Sequence, residues 1–175
     1  MGEEDAKPTP AEGQCGKSRA HEPAASFTIE VESTRAACPT GEVAGKQMIA
    51  EGKIPVISCE GGCIRGEIAR LAANLVAREE PFCRGCHGEI FTAPHSAMAE
   101  WAKKAEKVVV IDGCFMHCHG RIMKKLVGDD RAAVFDALAV YRKHTDVIDI
   151  DAVPEAERRE LARQVADAVL SALRD

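Results

Sequence analysis

The chain has 175 residues, and its 23 basic and 28 acidic side chains leave a net charge of −5. Hydrophobic residues make up 46% of it, which is typical of a globular protein and excludes a wholly disordered one. The mild acidity gives no electrostatic reason to expect nucleic acid or an anionic membrane as a partner. No run approaches the roughly 18 to 20 apolar residues of a transmembrane helix. Eight cysteines are the unusual feature.

Residues 1–25 have the composition of a disordered tail, with prolines, glycines and charges and no large apolar side chain after Met1. They lack the continuous apolar segment, roughly 7 to 15 residues long, of a secretory signal. We therefore expect a cytoplasmic protein in which residues 26–175 form one domain and the thiols stay reduced. Cys15 and Cys38 are assigned no metal or redox role.

The first clear structural unit is a strand, a glycine turn and a helix. A weak alternation of apolar and polar residues at 27–31 precedes it. β-Branched residues predict a buried strand at 54–57, and the run Ser-Cys-Glu-Gly-Gly-Cys at 58–63 predicts the turn that ends it. Apolar residues spaced three and four apart then predict an amphipathic helix over about 64–78.

A second unit of the same kind follows along the chain. Pro94 and Ser96 mark the start of a helix that leads into a buried strand at 108–111. This strand ends in the turn Asp-Gly-Cys-Phe-Met-His-Cys at 112–118, and the helix after the turn is closed by Gly128. The combination of strand, cysteine-containing turn and helix therefore occurs twice.

The C-terminal part is predicted to contain two further helices and one further strand. The helices run over about 130–144 and from about Pro154, and the strand lies at 147–150. Parallel strands need crossover connections, so strands that alternate with helices predict an α/β fold. We expect three layers, in which a mostly parallel sheet is covered by helices on both faces.

The cysteines concentrate where the predicted strands end. Loops that leave the carboxyl ends of parallel strands open on one edge of the sheet, where ligands usually bind. At a helix start, a spacing of four places two side chains on one face, and the helix amino terminus favours thiolate over thiol. We therefore expect convergence of six thiols: Cys59 and Cys63 after one strand, Cys114 and Cys118 after another, and Cys83 and Cys86 in the loop between them.

Clustered thiolates indicate a metal site, and zinc is one candidate. Zinc takes four donors in a tetrahedron, and these can come from separate loops. All-thiolate sites also hold iron–sulfur clusters, so an iron–sulfur electron carrier is an alternative. Another alternative is a thiol-redox or catalytic-zinc enzyme with a spare cysteine such as Cys63 as nucleophile. The catalytic residues and the substrate stay unknown, because no cofactor fingerprint or acid–base pair stands outside the cysteine loops.

Three histidines and one aspartate lie beside these cysteines. His87, His117 and His119 could ligate the metal or carry protons, although a histidine in a turn is more often simply solvated. Asp112 could orient a ligand or accept backbone N–H bonds within its tight turn.

The runs Pro-Val-Ile-Ser-Cys at 55–59 and Val-Ile-Asp-Gly-Cys at 110–114 resemble the DGC domain family, described as zinc-binding. The similarity covers residues 53 to about 150, and the Asp-Gly-Cys tripeptide that names the family stands at 112–114. Cys-His-Gly at 86–88 resembles the family's middle cysteine better than Cys83 does. The resemblance implies a metal-binding or sensing module without a settled activity. It implies four zinc ligands, Cys59, Cys86, Cys114 and Cys118, with Cys63 and Cys83 as further candidates.

Overall fold

The computed structural model describes residues 26–32 and 34–174. The predicted disordered tail lies outside the described residues. Residues 26–32 form neither helix nor strand, so the weak alternation there produces no strand. Every helix and strand described below lies within residues 31–175. The prediction of one domain over 26–175 stays a prediction.

Four parallel strands form the central sheet: β1 (Ile54–Ser58), β2 (Phe82–Arg84), β3 (Val108–Asp112) and β4 (Ala132–Asp136). Their order across the sheet is β2-β1-β3-β4. The two central strands, β1 and β3, confirm the strands predicted from β-branched runs. The chain leaves β1 towards one edge of the sheet and leaves β3 towards the other, so the topological switch point lies between them.

Helices cover both faces of the sheet, which confirms the predicted three-layer α/β fold. One face carries α2 (Ile64–Val76), α6 (Ala137–Tyr141) and α7 (Glu155–Ala172). The other carries α1 (Pro39–Ala50), α3 (His87–Thr92), α4 (Ala97–Lys104) and α5 (Cys118–Val127). Among the described residues, no helix combines the length and apolar character needed to cross a bilayer.

Alternation along the central strands builds a hydrophobic core on each face. Val56 and Val109 pack with α2 and α7, whereas their neighbours Ile57 and Val110 pack with α4 on the opposite face. Trp101 of α4 is buried in this second core, and its indole Nε1 donates to the Lys53 carbonyl at 2.8 Å. The strand ends that carry the cysteines are therefore held by packing from both sides.

The predicted helix over 130–144 is wrong, because Ala132–Asp136 form strand β4 and only the short α6 follows. Val134 packs against the core on the α5 face, and its neighbour Phe135 packs against the core on the α2 face. Side chains that alternate between faces have the period of a strand, although apolar residues spaced four and three apart also fit a helix.

The predicted strand at 147–150 is also wrong. Among the described residues, 147–149 form no regular element, and Ile150–Ala152 form a short 3₁₀ helix. The side chain of Val147 packs against the core, but Ile148 is 72% exposed. The sheet position beside β3 is already taken by β4, so this apolar run packs as a connection rather than as a strand.

Helix α1 is absent from the sequence-based prediction, since its glycines look like turn residues. A Cβ added to Gly45 would lie 2.6 Å from the carbonyl oxygen of Ala97, so the missing side chain lets α1 approach the start of α4 closely. Glu42 of α1 also accepts a hydrogen bond from the Ala97 amide at 2.6 Å. The glycines thus serve packing between helices.

Candidate metal centre

The turns that follow β1 and β3 lie side by side at the switch point, as predicted for the carboxyl edge of the sheet. The amide of Cys59 donates to the Ile111 carbonyl at 3.0 Å. A Cβ added to Gly113 would lie 2.8 Å from the carbonyl carbon of Arg65. Glycine is therefore needed at this position for the turn after β3 to contact the first turn of α2.

Three side chains from different elements meet at this edge. The sulfur of Cys59, a carboxylate oxygen of Asp112 and a ring nitrogen of His119 all lie within 4.8 Å of one another. Cys59 follows β1, Asp112 ends β3, and His119 lies in the first turn of α5. Asp112 is buried, and the other two are half-buried. We refer to these three residues as the 59–112–119 site.

Asp112 anchors helix α5 to the end of β3. Its carboxylate oxygens accept hydrogen bonds from the amides of His119 at 3.1 Å and Gly120 at 2.8 Å. A Cβ added to Gly120 would lie 2.9 Å from Asp112 Oδ2, so glycine is needed for this approach. These bonds show the turn role foreseen for Asp112, and they hold His119 next to the carboxylate.

The environment of His119 favours its neutral imidazole. Burial lowers the pKa of His119, and the nearby His87 lowers it further, while Asp112 acts in the opposite direction. The two histidine rings meet edge-on, with centroids 4.8 Å apart. Among the described residues, the buried Nδ1 of His119 has no hydrogen-bond partner. Neutral imidazole is the form that binds metals, so this side chain is suited to ligation.

The surroundings of Cys59 raise the pKa of its thiol. Burial is the main cause of the raised pKa, and the charges of Asp112 and Cys118 raise the pKa further. The amides of Gly61 and Gly113 lower the pKa in part. A cation would reverse this balance, because metal binding displaces the thiol proton. The residues of the 59–112–119 site therefore fit a bound metal ion.

A family model for the DGC domain matches residues 55–167, which span β1 to most of α7. This chain belongs to the DGC domain family. The match begins close to the expected residue 53 and extends past the expected end at about residue 150, and it leaves out α1. Comparison with curated proteins and with solved structures found no match.

The four predicted cysteine ligands of the DGC domain all follow the carboxyl ends of strands. Cys118 is the first residue of α5, and its charge acts on Cys59. Cys114 is half-buried in the turn after β3, and Cys86 is exposed before α3. In the part of the chain that the structure describes, neither Cys86, Cys114 nor Cys118 belongs to a trio of ligand atoms within 4.8 Å. The four-cysteine set stays a prediction.

The middle segment of the DGC domain returns over the same edge, as predicted, but it is not wholly a loop. Residues Phe82–Arg84 form the edge strand β2, and His87 at the start of α3 contacts the ring of His119. Cys83 packs against the core on the α4 face.

Proposed function

We propose that this DGC domain binds a zinc ion at the carboxyl edge of its sheet. Cys59, Asp112 and His119 would supply three donors, and Cys118 would supply the fourth. The spacing of the three ligand atoms at the 59–112–119 site carries the proposal. Cys118 is chosen because its charge acts on Cys59 from the start of the same helix that holds His119.

The spacing supports a tetrahedral site. Zinc bonds of about 2.0 to 2.3 Å imply that neighbouring donors lie about 3.3 to 3.8 Å apart. The three atoms already lie within 4.8 Å of one another, so each pair would have to approach by at most about 1.0 to 1.5 Å to close the sphere. Asp112 is fixed by its two amide donors, so Cys59 and His119 would make the adjustment.

The donor types favour zinc over the alternatives. Zinc accepts sulfur, nitrogen and oxygen in one site. Iron–sulfur clusters are held mainly by thiolates, and magnesium and calcium prefer oxygen donors. A site with one sulfur, one imidazole and one buried carboxylate therefore supports zinc rather than an iron–sulfur cluster. The corresponding function is that of a metal-binding module.

Elemental analysis of the purified full-length protein tests the proposal. We expect one zinc per chain and no visible absorption, and we expect Cys59→Ser and His119→Gln to weaken zinc binding by more than about a hundredfold, since even outer-shell changes cost about 10 to 100-fold. Cys38→Ser is the matched control, because Cys38 is exposed at the start of α1. Brown protein with iron and labile sulfide would contradict the proposal, as would full zinc content in Cys59→Ser.

Cys114→Ser separates the two ligand sets. The four-cysteine set implied by the sequence expects this variant to lose zinc, whereas a sphere built from the 59–112–119 site and Cys118 expects it to keep its zinc. Unchanged stoichiometry would remove Cys114 from the ligands, and a loss matching that of Cys59→Ser would add it.

A further inference from the structure

A groove lined by arginine side chains lies between α2 and α7, and we refer to it as the α2–α7 groove. Its volume is about 400 Å³, which falls within the range of small-molecule sites, about 300 to 1,000 Å³. α2 begins at the carboxyl edge of the sheet, where Cys63 precedes it, and runs back across the sheet. The groove is formed by the C-terminal half of this helix, away from the 59–112–119 site.

Every charged side chain that lines the groove is an arginine, among the residues that the structure describes. Two come from α2 or its C-terminal end, and two come from α7: Arg70, Arg78, Arg159 and Arg163. This arrangement stands out in a chain whose net charge is −5. Four guanidinium groups around one concave surface are complementary to an anionic ligand.

Three of these arginines can donate hydrogen bonds to a ligand at little cost. Arg78 is exposed, and within the described part of the chain no carboxylate lies within ion-pair distance of it. Arg159 lies 2.6 Å from Glu155, and Arg163 lies 2.5 Å from Glu160, each on its own helix. All four of these paired side chains are more than half exposed, and exposed pairs contribute little to stability. A phosphate that binds a guanidinium with two hydrogen bonds would therefore replace the carboxylate.

Arg70 has a different role, because its guanidinium is already held. Its Nε and Nη2 donate to the two carboxylate oxygens of Glu67 at 2.8 and 2.9 Å, and the Glu67 side chain is only 17% exposed. Arg70 therefore contributes positive charge at a fixed position rather than free N–H groups.

The remaining lining offers apolar surface and an amide. Leu71 and Leu75 line the groove, and both pack against the core beneath α2. Asn74, between them, is half-buried, and its side-chain amide makes no hydrogen bond within the described residues. An amide supplies two donors and one acceptor. An inorganic anion would leave the leucines and this amide unused, so the lining favours a ligand with both anionic and ring-shaped parts.

We propose that the α2–α7 groove binds a nucleoside diphosphate. The phosphates lie against Arg78, Arg159 and Arg163, and the base covers Leu71 and Leu75 with its polar edge towards the Asn74 amide. The two α7 arginines lie one turn apart, roughly 6 Å along the helix axis, and Arg78 belongs to the opposite wall. Guanidinium groups match phosphate oxygens bidentately and also stack on flat rings, so they suit both parts of this ligand.

Isothermal titration of the full-length protein with ADP tests the proposal, with inorganic pyrophosphate and adenosine as separate probes. We expect saturable binding of ADP, with a dissociation constant below about 1 mM. Pyrophosphate lacks the base and adenosine lacks the phosphates, so each is expected to bind at least about tenfold more weakly. Raising the salt concentration is expected to weaken ADP binding, because the guanidinium groups are screened. The zinc content is measured before and after the titration, so that zinc removed by ADP is not counted as binding.

Single variants decide whether the arginines of the groove hold the phosphates. Arg78→Gln and Arg163→Gln are each expected to weaken ADP binding about ten- to hundredfold. Arg121→Gln is the matched control, because Arg121 is also exposed and without an ion pair among the described residues, but lies in α5 on the other face of the sheet. Circular dichroism checks the fold of each variant.

Two further variants separate a binding role from a structural one. Glu160→Gln releases Arg163 from its carboxylate and is expected to tighten ADP binding about twofold. Asn74→Ala is expected to weaken ADP binding about two- to tenfold and to leave pyrophosphate binding unchanged, since the amide would contact only the base.

Several results would overturn the proposal. These are the absence of saturable ADP binding, unchanged affinity in folded Arg78→Gln and Arg163→Gln, or an equal loss in Arg121→Gln. Pyrophosphate binding as tightly as ADP would exclude a nucleoside ligand, and a glutamate-rich peptide binding more tightly than ADP would assign the groove to a protein partner. The lining contains no candidate zinc ligand, so the same titration applies if the protein binds no zinc, and the two proposals fail separately.

Discussion

Replacing Asp112 by Asn tests whether this buried carboxylate fixes the position of helix α5. Asp112 is 1% exposed, and its two oxygens accept the amides of His119 and Gly120. Asn keeps one acceptor oxygen but places an NH₂ group where the other stood, and it removes the negative charge from the amino terminus of the helix. Burial leaves no water to replace the lost bond.

The expected loss of stability follows from these contacts. One hydrogen bond to a charged group contributes about 1.5 to 3 kcal/mol. A carboxylate at a helix amino terminus adds about 0.3 to 1 kcal/mol. We therefore expect Asp112→Asn to lower the free energy of unfolding by about 2 to 4 kcal/mol. Urea unfolding monitored by the fluorescence of Trp101, the single tryptophan, measures this change, with a chelator present to remove any metal contribution.

Asp136→Asn is the matched control. Asp136 also ends a strand and caps the next helix, but it accepts one amide, that of Ala139 at 3.3 Å, in an exposed bond. Its replacement is expected to cost less than about 1 kcal/mol, since Asn is also a good cap. Equal losses for the two variants would refute the argument that burial of the Asp112 carboxylate sets the magnitude.

Three further predictions concern the packing of α1 against α4, the pH dependence of stability, and the contact between Gly113 and α2. Gly45→Ala is expected to lower the free energy of unfolding by about 2 kcal/mol in urea titrations. Overpacking of the added methyl group against the Ala97 backbone outweighs the roughly 1 kcal/mol that alanine gains over glycine in helix propensity. A stabilised variant would contradict this expectation. With a chelator present, the free energy of unfolding is expected to fall as the pH drops below the ordinary histidine pKa of 6.5. The reason is that His119 has a higher pKa in the unfolded chain, which therefore binds more protons than the folded chain. His119→Gln should flatten this pH dependence, and an unchanged slope would contradict the lowered pKa of His119. Gly113→Ala is expected to push the turn away from Arg65 and weaken zinc binding in a competition titration with a chelator, and unchanged affinity would show that the contact is dispensable.

The elements with a strong period were predictable from the sequence. Strands β1 and β3 are buried on both faces, and their β-branched runs show it. Helix α2 shows its apolar stripe directly, and Ser96 marks the start of α4 by accepting the Ala99 amide. These signals are local, so tertiary contacts do not alter them.

The elements that depend on tertiary contacts were not predictable. β4 lies at the edge of the sheet, and α6 begins directly after its last residue. The apolar residues of the strand and of the helix therefore combine into a spacing that resembles one longer helix. For the site, strand ends placed Cys59 and Asp112 at one edge of the sheet. The meeting of Asp112 with His119 depends on the carboxylate accepting amides of α5, which no sequence spacing reveals.

Because β1 and β3 are neighbours in the sheet, the stability of the fold is expected to depend on the concentration of metal. Cys59 and His119 belong to different strand–helix units, so neither unit alone presents a complete chelate. An ion held between them binds the native chain in preference to the unfolded one, and it therefore raises the melting temperature in proportion to the logarithm of its free concentration once the site is saturated. Opening either crossover would release the ion, which couples its escape rate to local unfolding.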